Sequence, residues 1–210
     1  MPNPPVPAAV VFDLGKVLLD FDYSLVVRRV AARSDRLDVP GIGQLLLHSP
    51  LLPAYERGEL SSPDFFEAIR RPTGFTGSYE EFVRYFDDIF AEIPPMVAMQ
   101  AELRRRGVPT FIFSNTNELA MDCIRARFPF YGNFNGYILS YELGSMKPDA
   151  PIYEAMERMT GMRGAELIYL DDRPENVEAG AARGWQTVLH HDPAVSRERL
   201  TAAGLLGSGS

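Results

Sequence analysis

Apolar residues along the chain fall into short runs that predict the strands of a parallel sheet. Five runs rich in β-branched or aromatic residues are expected to be buried strands: residues 8–13, 110–114, 137–140, 167–171 and 186–190. Stretches of helical periodicity lie before or between the last four, as after Pro94-Pro95 and after Pro148. This alternation is typical of βαβ units, so we predict a doubly wound, five-stranded α/β fold that resembles a Rossmann sheet.

The first two strands break this rhythm, because almost a hundred residues lie between them, far more than one crossover helix needs. Apolar positions in the insertion recur at helical spacing. Helix starts are marked by Ser62-Pro63 and by a capping box from Ser78 to Glu81. We therefore expect residues 20–93 to form a small, all-helical cap, and residues 6–19 and 94–206 to form the α/β core.

Polar residues end the predicted strands, and in an open parallel sheet ligands bind at the carboxyl ends of the strands. The residues at these ends are Asp13 after the first strand, Ser114 and Asn115 at the second, Lys147 beyond the third, and Asp171 and Asp172 at the fourth. The sequence thus predicts a carboxylate, a hydroxyl, a cation and a carboxylate pair on one rim.

This set of side chains suits phosphoryl transfer, in which a protein mainly positions the phosphoryl group and neutralises charge. The Asp13 carboxylate can attack phosphorus to give an aspartyl-phosphate. Asp13 and Asp172 can hold Mg²⁺, which prefers oxygen ligands. The Ser114 hydroxyl and the Asn115 amide can donate to phosphoryl oxygens, and Lys147 offsets the negative charge.

The four segments, in this order and at these strand ends, resemble motifs I to IV of the haloacid dehalogenase superfamily, and the long insertion resembles its helical C1 cap. Asp13-Leu14-Gly15, Ser114-Asn115-Thr116-Asn117 and residues 55–59 (Tyr-Glu-Arg-Gly-Glu) are similar to a bacterial subgroup that includes α-glucose-1-phosphate phosphatases. The N-terminal phosphatase domain of soluble epoxide hydrolases is a more distant relative.

The resemblance implies a phosphatase that acts on a small phosphorylated metabolite, with a sheet in the strand order 5-4-1-2-3. It implies these roles: Asp13 as nucleophile and metal ligand, the Gly15 carbonyl and Asp172 as metal ligands with Asp171 in support, Ser114 and Asn115 on the phosphate, and Lys147 as clamp. Glucose 1-phosphate is the substrate to which the subgroup points.

Gly15 departs from the family pattern, in which most phosphatases carry an Asp as general acid and base at this position. General acid–base catalysis contributes roughly 10² to 10⁴-fold to a rate, so its loss predicts a slow enzyme rather than an inactive one. A substrate with a good leaving group is the explanation we favour. A substitute carboxylate, Asp20 or Asp22, and a change to a binding role are the alternatives.

Three further readings of the site stay open. Arg57, in a predicted cap loop, can reach the substrate or form a surface ion pair with Glu56 or Glu59. Haloacid dehalogenases also lack the second Asp, but they need no metal, and Asp171-Asp172 suits a cation better. A weakly active or non-catalytic protein of this fold that only binds its ligand is the alternative from a different class of function.

Composition and charge limit the binding partners and the cellular location that we expect for the protein. The net charge of −7 argues against a nucleic-acid or acidic-membrane surface. A single cysteine, Cys123, excludes an intramolecular disulfide and favours a reducing, cytoplasmic location. The three histidines lack ligand spacing, and we expect His190 and His191 to be solvated in a loop. Whether the protein is a monomer or a homodimer does not follow from the sequence.

Overall fold

The five predicted core strands form one parallel sheet in the computed structural model, which describes residues 5–207. The strands of the molecule are β1 (Ala9–Phe12), β2 (Leu19–Phe21), β3 (Phe90–Glu92), β4 (Thr110–Ser114), β5 (Gly136–Leu139), β6 (Leu167–Asp171) and β7 (Gln186–Leu189). The main sheet has the order β5-β4-β1-β6-β7. Counted over the five core strands, this is the expected order 5-4-1-2-3, read from the opposite edge, and the predicted fold class is confirmed.

The central strand β1 pairs with β4 on one side and with β6 on the other, and both pairings are parallel. Phe12 lies opposite Ile112 in β4 and opposite Leu170 in β6. Asp13 and Asp171 are therefore the next residues on neighbouring strands. The sheet register thus places the polar ends of β1, β4 and β6 at the same edge.

Helices cover both faces of the sheet, as a doubly wound fold requires. They are α1 (Ser24–Ala31), α2 (Val39–Leu47), α3 (Leu51–Glu56), α4 (Ser62–Thr73), α5 (Tyr79–Arg84), α6 (Pro94–Arg105), α7 (Glu118–Arg127), α8 (Ser140–Leu143), α9 (Ala150–Thr160), α10 (Pro174–Ala182) and α11 (Pro193–Ala202). Ala9 and Val11 face the apolar residues of α9, whereas Val10 and Phe12 face those of α6 and α7. The two faces alternate along β1 because successive strand side chains point to opposite sides.

The inserted segment contains α1 to α5, but the expectation that it is all helical was wrong. Its two ends, β2 and β3, pair as an antiparallel ribbon in which Leu19 lies opposite Glu92 and Phe21 opposite Phe90. Strands of three residues are too short to show an alternating pattern in the sequence, so periodicity could not reveal them. β2 lies where the chain leaves the core for the inserted helices, and β3 lies where it returns to the core.

The predicted helix starts in this segment are only partly as expected. Ser61 caps α4, whose first residue is Ser62, and Ser78 caps α5 by accepting a hydrogen bond from the Glu81 amide. The reciprocal half of the capping box is absent among the described residues, since the Glu81 carboxylate accepts hydrogen bonds from Arg33 and Tyr85 instead.

The apolar side chains of the insertion form one continuous cluster with one face of the main sheet. This cluster contains Val26, Ile42, Phe65, Phe82 and Phe86 from α1, α2, α4, α5 and the turn after α5, together with Val10, Phe12, Ile112 and Leu170 from the sheet. Within residues 5–207, no helix has the length and apolar character needed to cross a bilayer.

Candidate active site

Lys147, in the loop between α8 and α9, lies at the centre of the polar edge. Its ammonium group donates to the Phe113 carbonyl at 2.8 Å and to Asp171 Oδ2 at 2.6 Å, and it lies 3.0 Å from Asp13 Oδ1. The side chain is 1% exposed. Burial acts to lower the pKa of Lys147, but Asp13 and Asp171 outweigh it and raise that pKa, so the lysine is charged.

Asp171, the last residue of β6, is fully buried and fully bonded. Tyr169 donates to it, and so do the Arg173 amide at 2.8 Å and the Asn176 side chain at 3.0 Å. Burial acts to raise the pKa of Asp171, but Lys147 and these donors outweigh it and hold the pKa below its usual value. Asp171 is therefore an anion whose oxygens already have protein partners, which suits a supporting role.

Asp13 and Asp172 complete an acidic cluster with Asp171, in which one carboxylate oxygen of each lies within 4.8 Å of the others. Burial and the charge of Asp171 raise the pKa of Asp13 to about 8, although Lys147 opposes this, and burial and Asp171 also raise the pKa of Asp172. A bound cation would favour the charged form of both carboxyl groups. An all-oxygen donor set of this kind fits Mg²⁺.

The loop after β4 is tied to the Lys147 loop by a pair of hydrogen bonds. The Asn115 side chain donates to the Lys147 carbonyl at 2.9 Å and accepts from the Lys147 amide at 2.8 Å. Asn115 thus positions Lys147, and its carboxamide is largely occupied within the protein. The Ser114 hydroxyl makes only a long, 3.3 Å contact to the Asn115 carbonyl, so it is the freer of the two donors.

A cleft of about 60 Å³ opens beside this cluster, between the sheet edge and the inserted segment. Its polar lining comes from Ser114, Asn115, Thr116 and Glu56, and its apolar wall includes Phe21, Tyr23, Phe90 and Ile124. A larger cavity of about 440 Å³ lies near the starts of β6 and β7, at the opposite end of the strands from Asp13. Chemistry at the carboxyl ends of the strands points to the smaller cleft.

The order of these groups along the chain agrees with a known family. The family of haloacid dehalogenase-like hydrolases matches residues 7–184. The chain belongs to the haloacid dehalogenase-like hydrolases.

Two relatives of this chain are phosphatases by name. The D-ribitol-5-phosphate phosphatase of Bacteroides thetaiotaomicron is 26% identical over 206 residues, which cover 91% of this chain and 96% of that protein. A sesquiterpene phosphatase of Aspergillus oryzae is 27% identical over 179 residues, which cover 84% of this chain and 86% of that protein. The likeness to phosphatases thus extends over most of the chain.

Solved structures of the family share the fold. A predicted haloacid dehalogenase-like hydrolase from Porphyromonas gingivalis superimposes with a TM-score of 0.79 and 25% identity, over 92% of this chain and 98% of that one. A family enzyme from Bacteroides thetaiotaomicron, crystallised with magnesium and inorganic phosphate, gives a TM-score of 0.76 at 21% identity, over 87% of this chain and 93% of that one.

Gly15 lines the cleft, and an aromatic ring fills the space that a larger side chain would need there. A Cβ atom on Gly15 would lie 2.7 Å from Cε1 of Phe21 in β2. The usual second Asp of haloacid dehalogenase-like phosphatases is thus replaced by a glycine packed under a phenyl ring. The sequence showed the glycine, but it could not show that Phe21 packs against it.

The two carboxylates proposed as substitutes for that Asp are engaged elsewhere. Asp20 is exposed and pairs with Lys16, whose hydrogen bond lowers the pKa of Asp20. Asp22 is exposed and accepts a hydrogen bond from the Ser24 amide at 2.9 Å at the start of α1. Neither residue lines the cleft.

Arg57 and the histidines lie outside the acidic cluster. Arg57, at the end of α3, does not line the cleft, and within residues 5–207 it forms no ion pair with Glu56 or Glu59. His190 is buried and bonds to the Ser196 hydroxyl at 2.8 Å, so the expectation that it is solvated was wrong. Glu56, by contrast, lines the cleft, and sequence reasoning gave it no role beyond a possible partner for Arg57.

Proposed function

We propose that the protein is a Mg²⁺-dependent phosphatase that hydrolyses a small phosphorylated metabolite through an aspartyl-phosphate on Asp13. The observation that carries this proposal is the cluster of Asp13, Asp171 and Asp172, in which Asp13 and Asp171 both contact the buried ammonium of Lys147. The phosphatase relatives support it. The division into a core and a cap that supplies the cleft's second wall is part of the same proposal.

Asp13 is oriented for attack by its own hydrogen bonds. Its Oδ1 accepts from the Leu14 amide at 2.7 Å and lies 3.0 Å from the Lys147 ammonium. These contacts fix the carboxylate and leave Oδ2 as the oxygen that attacks phosphorus, while the bond from phosphorus to the leaving oxygen breaks. Water then cleaves the aspartyl-phosphate and restores Asp13.

The remaining residues neutralise charge and hold the phosphoryl group. Ser114 and the backbone of Asn115 donate to phosphoryl oxygens, and Lys147 offsets the charge that develops on them. Asp13, Asp172 and the Gly15 carbonyl would hold Mg²⁺, with Asp171 in support. When bound, the cation offsets the repulsion between the nucleophile and the phosphoryl group.

The apolar wall of the cleft limits which leaving groups are favoured beside the phosphoryl group. Phe21, Tyr23, Phe90 and Ile124 line the same cleft as Ser114. In a cleft of about 60 Å³ this lining favours an apolar group next to the phosphoryl ester over a sugar hydroxyl, and a chain as long as that of a sesquiterpenyl phosphate would have to extend beyond the cleft. Sugar phosphates remain the candidates to which the subgroup resemblance points.

A screen of phosphate esters tests this proposal. Glucose 1-phosphate, ribitol 5-phosphate, farnesyl phosphate and 4-nitrophenyl phosphate are incubated with the native protein, with and without Mg²⁺, and released phosphate is measured. We expect turnover with Mg²⁺ that falls by at least about 10³-fold in Asp13→Asn, since the nucleophile is lost. Binding of esters without turnover would support a binding protein, and metal-independent activity on haloacids would support a dehalogenase.

A further inference from the structure

We propose that Glu56 is the general acid that protonates the leaving-group oxygen, in place of the carboxylate that Gly15 lacks. This inference rests on the proposed phosphatase function. Glu56 lies at the end of α3, on the cap side, and lines the same cleft as Gly15, Ser114 and Asn115. A leaving group that extends from a phosphoryl group at Ser114 toward the cap would contact the part of the cleft wall that contains Glu56.

The Glu56 carboxylate has no structural task that would explain its position. It forms no ion pair and accepts no side-chain or capping hydrogen bond from residues 5–207, although it is half-buried. Its oxygens keep some contact with solvent, since within residues 5–207 no fully buried side-chain oxygen lacks a hydrogen-bond partner. The carboxylate is therefore accessible to a ligand, and Glu56 is part of the cleft lining.

The neighbours of Glu56 hold it against the core on both sides. Tyr55 is buried, and its hydroxyl accepts a hydrogen bond from the Leu119 amide of α7 at 3.1 Å and bonds to Ser62 at 2.6 Å. Gly58 has a φ of +70°, and a Cβ there would lie 2.2 Å from the Tyr141 carbonyl of α8. The segment from Tyr55 to Gly58 is thus fixed on the core, so Glu56 is a positioned group.

Burial raises the pKa of Glu56 to about 7, although Arg173, Arg57 and Lys147 oppose this shift. A general acid works best with a pKa near the operating pH, because it is then protonated in many molecules and still gives up its proton. Tyr23, the other titratable residue in the cleft wall, is a weaker acid, since burial raises its pKa above the usual value. Glu56 is therefore the better proton donor of the two.

The proposed proton transfers balance over the two steps. As Oδ2 of Asp13 bonds to phosphorus, the bond from phosphorus to the ester oxygen breaks, and that oxygen takes the proton of the Glu56 carboxyl. The alcohol leaves, and Glu56 is a carboxylate. This carboxylate then takes a proton from the water that attacks the aspartyl-phosphate, which releases phosphate and restores both side chains.

The experiment compares esters that need the acid to different extents. We measure kcat/KM of native protein, Glu56→Gln and the control Glu59→Gln, in Mg²⁺, on phenyl phosphate and on 4-nitrophenyl phosphate, whose leaving group needs little protonation. Glu59 is exposed in the same loop. We expect Glu56→Gln to lower kcat/KM by about 10²-fold on phenyl phosphate and by less than about fivefold on 4-nitrophenyl phosphate, with Glu59→Gln like the native protein.

Because kcat/KM reports the steps up to release of the alcohol, slow hydrolysis of the intermediate does not affect the comparison. Equal losses on both esters, or no loss on either, would overturn the role of Glu56 while leaving the phosphatase function intact. Native protein that hydrolyses neither ester would count against the phosphatase function itself. Circular dichroism of both variants checks that the fold is retained, which we expect because neither side-chain carboxylate has a hydrogen-bond or ion-pair partner within residues 5–207.

Discussion

Lys147 balances two buried carboxylates at once, and its contacts to Asp13 and Asp171 are 3.0 and 2.6 Å long. Removing one partner of a buried ion pair leaves an uncompensated charge and costs about 3–5 kcal/mol. Lys147→Met is therefore expected to lower the free energy of unfolding by about that amount in urea titrations with EDTA present. Lys16→Met, which removes a surface lysine, is the control and is expected to change stability by less than about 1 kcal/mol.

If both variants unfolded at the same urea concentration, the charge balance assigned to Lys147 would be incorrect. At the same residue scale, the sequence was sufficient to predict that Asp13, Lys147 and Asp172 lie at one edge of the sheet, because each ends or follows an apolar run. It was not sufficient for Glu56, whose place depends on packing between α3 and the core. The clues in the sequence were the missing acid at Gly15 and a glutamate beside Arg57-Gly58.

The loop after α3 contacts the core through Gly58, and this contact holds the end of α3, where Glu56 lies, beside the cleft. Gly58→Ala combines a left-handed conformation with a Cβ that would lie 2.2 Å from a backbone carbonyl. We expect the loop to move away from α8 and kcat/KM on phenyl phosphate to fall by at least about tenfold, because small displacements of a positioned catalytic group are costly.

Gly107→Ala is the matched control for this prediction. Gly107 has a φ of +76°, but a Cβ there would have no atom within 4 Å. Both variants are expected to lose roughly 1–2 kcal/mol of stability from the left-handed conformation. Only Gly58→Ala is expected to lose activity, and similar kinetics in the two variants would show that the docking contact does not position the site.

The elements themselves were predictable to different extents. The strands β1, β4 and β6 are largely apolar runs that are buried along their whole length, and burial on both faces makes that pattern distinctive. The ribbon of β2 and β3 was missed, because three-residue strands carry no periodic signal. The contact between Phe21 in this ribbon and Gly15 could not be predicted, and a larger residue at Gly15 would require the Phe21 ring to move.

At the scale of the molecule, the cap segment and one face of the sheet share a continuous apolar cluster. The cleft therefore lies between two packed surfaces, with Ser114 and Asn115 on one side and Glu56 on the other, and Asp13 lies next to Leu14 and Gly15 of its lining. This arrangement assigns attack and charge neutralisation to the core and proton transfer to the cap. The covalent step on Asp13 is the central claim, because every other role depends on it.

Borohydride trapping tests that step most directly. The native protein is mixed with Mg²⁺ and 4-nitrophenyl phosphate, treated with sodium borohydride, which reduces an aspartyl-phosphate to homoserine, and digested for mass spectrometry. We expect homoserine at position 13 only when both substrate and Mg²⁺ are present. Turnover accompanied by an unmodified Asp13, or by reduction of a different carboxylate, would contradict the account.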